Sequence, residues 1–135
     1  MALVENGQPV VDASSAATLA TTELYDCPAA VAVGDAVYLT ATGTVDRARA
    51  NALATMPVVG VVQSKPSATT CLVQTGDALG GYAGLTVDAF YYASPTTPGA
   101  LTATVPTTIG QVVQQVGFAR TATTLVVSLG DVTVL

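Results

Sequence analysis

From residue 29 onward the chain is written in short apolar runs rich in Val, Thr and Tyr, each closed within a few residues by Gly, Pro or Gly-Asp. That grammar restricts it to strands and tight turns. Charge scarcity points the same way. Only 10% of the 135 residues are charged, against about a quarter in ordinary soluble domains. Thr, Ser, Ala and Gly stand where Lys and Glu would otherwise sit. Helical surfaces favour Glu, Lys, Arg and Gln, whereas strands favour Thr and Val, so the chain is built for sheet. Half of the residues are hydrophobic, yet no apolar run approaches the ~20 residues of a membrane span. A positive mean hydropathy without such a run implies that other subunits cover part of the surface.

The length fits one domain carrying an arm. Residues 1–28 read as an extended N-terminal arm, with scattered apolar residues and a small-residue run from Ala13 to Thr22. A short helix over 16–22, capped by Ser14 or Ser15, is the other reading of that run. Residues 29–135 read as the β domain. Strands are predicted over 36–40, 57–63, 69–74, 85–93, 111–119 and 123–129, with shorter ones at 44–48 and 100–103. Ala30–Val33 belongs to the same pattern and runs into the Gly34-Asp35 turn. Lys65-Pro66-Ser67 is read as a turn, and Gly60 inside its strand signals a bulge or close backbone approach.

An internal pseudo-repeat is visible. SATTCLVQTG (67–76) matches TATTLVVSLG (121–130), Val59-Gly60-Val61-Val62 matches Val116-Gly117-Phe118-Ala119, and Ala36–Leu39 matches Ala89–Tyr92. Two copies of one strand set packed together give a small β-barrel or β-sandwich.

The chemistry is bounded as firmly. Without histidine, His-based triads, acid–base pairs and zinc sites are excluded. The Ser and Thr hydroxyls lack a base, because Lys65 is the sole lysine and sits beside Pro66. The net charge of -5 argues against nucleic acid. Asp35, Asp77 and Asp131 each follow a Gly. They offer oxygen ligands for calcium, but without D-x-D-x-D-G spacing they read as turn residues. Gly80–Gly84 reads as a flexible loop, since no Lys-Ser/Thr follows it. Phe90, Tyr91 and Tyr92 alternate sides of a strand, with Tyr91 opposed to the other two. They offer either core filling or, with Tyr82, a platform for a sugar or partner. Arg47 and Arg49 share a face if 44–49 is a strand, where they meet either a partner's carboxylates or solvent. Cys27 and Cys71 read as buried thiols in a reducing cytosol, with a pairing across a sheet left open. No cofactor, metal or enzymatic activity is expected. The opening MALVENGQPV lacks a basic start and an apolar run, so export by a signal peptide is not expected.

VGDAVYLTATGTVDRA, PVVGVV, FYYASPTTPGALTATVPTTIGQVVQQVGFA and ATTLVVSL occur in that order over residues 33–129. In these pieces the chain resembles the head decoration proteins of tailed bacteriophages, also called capsid cement or stabilising proteins. The resemblance covers about two-thirds of the chain and rests on structural turns and strands. It implies a β-tulip-like, non-enzymatic virion protein made in the bacterial cytoplasm. Such a protein binds the outside of the capsid, commonly as a homotrimer, and bridges major capsid protein subunits. The N-terminal arm would carry capsid contacts, for which Val4, Pro9, Val10 and Val11 are the candidates. A fibre or tail module and a carbohydrate-binding module are the alternatives. No nucleic acid, membrane or small-molecule substrate is implied.

Overall fold

β-Branched residues pack well on a pleated surface, and Gly and Pro interrupt the ladder, so the runs and breaks of the sequence become strands and turns. The computed structural model describes residues 22–135. Strands β1 (Thr22–Asp26), β2 (Ala36–Leu39), β3 (Val45–Arg47), β4 (Val58–Ser67) and β5 (Thr70–Gln74) form a first sheet in the order β1-β5-β4-β2-β3. Strands β6 (Asp77–Leu79), β7 (Phe90–Ala93), β8 (Leu101–Thr102), β10 (Gln115–Ala119) and β11 (Leu125–Val127) form a second in the order β6-β11-β10-β7-β8. β9 (Val112–Val113) pairs with β12 (Thr133–Val134) in a small ribbon. Every pairing is antiparallel. One 3-10 turn, Leu53–Thr55, is the only helical element among the described residues. The fold is all-β, a small sandwich, and neither sheet closes into a barrel.

The two sheets share one strand order. Substituting β6, β7, β8, β10 and β11 for β1 to β5 turns the first description into the second. The registers agree in detail. Val37 faces Gly60 and Tyr38 faces Val58, so Val59 is bulged. Tyr91 faces Gly117 and Tyr92 faces Gln115, so Val116 is bulged. The match of VGVV with VGFA therefore falls on equivalent bulges. The match of 36–39 with 89–92 falls one residue out of register, because Phe90 and not Ala89 holds the place of Ala36.

The register also shows how the sheets are stacked. Ala36, Val58 and Val61, on one face of the first sheet, share a core with Tyr91, Ala119 and Leu125 of the second. Val37, Val62 and Val73 lie on the other face of the first sheet, in a separate core closed by Cys27 and Val31. Tyr91, Ala119 and Leu125 hold the places of Val37, Val62 and Val73. Both sheets thus turn corresponding faces in the same direction. The first sheet's second face is buried under the second sheet, and the second sheet's corresponding face is left outward.

Several strands differ from the sequence expectation. Residues 111–119 form two strands split at Gln114. Its side chain is buried, accepting from the Val58 amide at 2.7 Å and donating to the Val58 carbonyl at 3.1 Å. This amide replaces the neighbour that β4 lacks at that point. Lys65 and Pro66 lie inside β4, and the hairpin turns one step later, where Ser67 pairs with Thr70. Residues 85–89 are a turn rather than strand, with Asp88 at φ 67° and the Ala89 amide bonded to Thr86. Ala30–Val33 forms a strap over the second core, held by Lys65, whose ammonium donates to the Val31 carbonyl at 2.6 Å and to that of Ala68 at 3.1 Å. Thr22–Asp26, within the segment read as an arm, is the edge strand beside β5.

Candidate functional site

Two features stand apart from the core. The first is the outward face of the second sheet. Ala78 pairs with Val126, Val126 with Phe118, and Phe118 with Phe90, so one row of uncharged side chains crosses four strands. Phe90 is 51% exposed. Its ring meets Phe118 edge-on, with centroids 6.2 Å apart and planes at 65°. In the first sheet the equivalent positions, Ala36 and Val61, are fully buried.

The second is a cavity of about 380 Å³ where three loops meet. Asp35 enters from the β1–β2 connection, Tyr82 from the Gly-rich segment 80–84, and Leu101 from the β7–β8 hairpin, with Tyr91 at the floor. The glycine segment is pinned. The Tyr82 amide donates to Thr123, the Leu85 amide to Ala122, and the Tyr82 hydroxyl to the Gly34 carbonyl at 3.0 Å. Asp35 accepts the Ala32 amide at 2.9 Å through Oδ2. Its carboxylate lies against the bare Cα of Gly99, where a Cβ would come within 2.8 Å of its carboxyl carbon. Burial raises the Asp35 pKa, opposed by the Ala32 amide and then by the charges of Arg47 and Lys65. Burial, and then the Asp35 charge, raise that of Tyr82.

Arg47 and Arg49 line one smaller cavity with Tyr38 and Asp46, although β3 ends at Arg47. Arg49 donates to the Pro95 carbonyl at 3.0 Å, and Nε of Arg47 is buried without a partner among the described residues. Cys27 and Cys71 are free thiols in the same core. The Cys71 thiol is pushed up to about 12, first by burial and then by the neighbouring Cys27. No group of three or more metal-ligating side chains occurs among the described residues. Asp35 and Asp77 serve turns, the one capping Ala32 and the other at φ 65°. Tyr82 and Tyr91 meet at the cavity, whereas Tyr92 lies on the face of Phe90. Val4, Pro9, Val10 and Val11 lie outside the described residues.

Sequence reasoning singled out Phe90 but not Phe118. The signal was available, since the bulge at Val-Gly puts Phe118 beside Phe90. Asp35 reads from sequence as a turn residue in preference to a calcium ligand, because its neighbours in the cavity come from loops far along the chain.

Among the described residues, fold and surfaces define a small all-β module with an open apolar sheet face and a cavity where three loops meet. No family model, no curated protein and no solved structure matches the chain.

Proposed function

We propose that the protein is a structural virion component that binds the outer surface of a tailed-phage head. It stabilises the shell by bridging major capsid protein subunits, and it acts as a homotrimer. The observation that carries this reading is the open row of Ala78, Val126, Phe118 and Phe90 on the second sheet. An uncharged, aromatic patch on a chain this poor in charge has the composition of a protein interface. Burying one phenylalanine contributes about 1.5–3 kcal/mol, so each site is modest. Several sites on one trimer, linked through effective concentration, make attachment firm. The sequence resemblance in the strands and turns of residues 34–128 supplies the capsid as the partner, and the arm supplies further contacts through Val4, Pro9, Val10 and Val11.

The test is co-sedimentation of purified protein with empty expanded heads, with the oligomeric state taken from light scattering. Saturable binding of a trimer is the expected result. Phe90→Ser with Phe118→Ser is expected to weaken binding at least tenfold, about 1.4 kcal/mol, while circular dichroism stays unchanged. Deleting residues 1–20, which spares β1, is expected to leave the sandwich folded and abolish binding. A soluble species that ignores heads refutes the proposal and directs attention to fibre or tail assembly.

A further inference from the structure

The cavity around Asp35 has features that a protein-docking face does not need. Its volume of about 380 Å³ lies near the lower end of the ~300–1,000 Å³ typical of small-molecule pockets. Its rim carries hydrogen-bonding groups with no partner among the described residues. The amides of Gly81, Ala83 and Gly84 make no hydrogen bond among the described residues. The Tyr91 hydroxyl accepts from the Thr86 amide at 2.9 Å, and its own proton has no acceptor there. Asp35 spends Oδ2 on Ala32, which leaves Oδ1 without a donor among the described residues. The walls between these groups are apolar, formed by the Tyr82 ring, Leu85 and Leu101.

That combination selects a ligand class. An anion would meet the Asp35 carboxylate, and no Lys or Arg lines the cavity. A cation would find one carboxylate and leave the amides unused. A purely apolar ligand would strand the three amides, the Tyr91 proton and Oδ1 away from water, at the cost of every unmade bond. Hydroxyl groups, each at once donor and acceptor, satisfy the amides, the tyrosine and the carboxylate together. We propose that this cavity binds a neutral saccharide, with the apolar ring face on Tyr82 and vicinal hydroxyls between Asp35 and the 81–84 amides. The three attachments of the glycine segment hold those amides in place before the sugar arrives, which limits the entropy cost of binding. This site is separate from the Phe90 face and does not depend on the capsid reading.

The experiment is a titration of the 15N-labelled full chain, followed by amide chemical shifts. The probes are methyl α-glucopyranoside, methyl β-galactopyranoside and methyl α-rhamnopyranoside, taken to tens of millimolar. Sodium glucuronate is the charged comparator. Saturable shifts at Gly81, Ala83 and Gly84 with at least one neutral glycoside are expected, with glucuronate at least tenfold weaker. Asp35→Asn removes the charged acceptor and is expected to weaken binding about tenfold or more. Ala83→Trp, at an exposed position, fills the mouth without disturbing the Ala32 cap and is expected to abolish binding. No saturable shift with any neutral glycoside overturns the proposal. So does glucuronate binding as tightly, or binding that survives Ala83→Trp unchanged.

Discussion

Gly60 is where β4 comes closest to its neighbour, and replacing it by alanine tests how tightly the first sheet is built. A Cβ at this position would stand 2.7 Å from the Gln74 carbonyl oxygen and would press on the Val73 side chain. Ordinary contact begins at 3.4 Å, so β5 must retreat by about 0.7 Å, the difference between those two distances. The neighbouring atom is backbone, and β5 is held between β1 and β4, so the retreat stretches the ladder at Val61↔Gln74 and Val62↔Val73. Overpacking of this kind costs about 1–3 kcal/mol, and weakening one ladder hydrogen bond costs about 1 kcal/mol more. The smaller entropy of the unfolded alanine chain returns about 0.4–1 kcal/mol. Gly60→Ala is therefore expected to destabilise by about 1–3.5 kcal/mol, which at this chain length lowers Tm by roughly 4–12 °C. Urea unfolding followed by circular dichroism reads it directly, with a lower midpoint at unchanged slope. The comparison is Gly80→Ala, where a Cβ meets nothing within 4 Å. Equal midpoints for the two variants would refute the close approach of β4 and β5.

Three further outcomes are expected. Gln114→Leu leaves the buried amide and carbonyl of Val58 unpaired, at about 1–3 kcal/mol each, and the loss is read as a fall in urea midpoint. With its pKa near 12, the Cys71 thiol holds almost no thiolate at pH 8. Iodoacetamide should leave it unmodified in the folded protein and label it fully in guanidinium, as mass spectrometry would count. The Asp35 carboxyl binds protons more tightly folded than unfolded, so it costs stability as pH rises from its ordinary value of 3.8 through its raised folded value. Wild type should therefore gain stability relative to Asp35→Asn as pH falls through that window. A stability difference that stays constant with pH would contradict the burial of this carboxylate.

The strands with dense β-branched residues and clear turn signals were legible in the sequence. Ala36–Leu39, Thr70–Gln74 and Gln115–Ala119 all fall inside predicted runs. β1 escaped notice because it is an edge: only Tyr25 packs against a core, and Leu24 is 59% exposed, so no alternation marks it. The break at Gln114 was hidden because its cause, the start of β4 at Val58, lies 56 residues earlier. The alternation of Phe90, Tyr91 and Tyr92 was readable from strand geometry, and Tyr91 is the inward one. The cavity was not readable. Asp35, Gly99 and the glycine segment meet only through the stacking of two sheets, and no local pattern records that.

That stacking gives the molecule a direction. A sandwich made by turning two like faces toward each other is the same from either end. This one resembles two spoons nested bowl to back, with a strap across the first bowl and a bare back on the last. Its ends are different objects, so the unit behaves as an arrow. Copies related by rotation about a ring axis all point the same way and expose equivalent ends on the same side. A collar built from such arrows has one aromatic side and one strapped side. It can be laid on a surface only one way up.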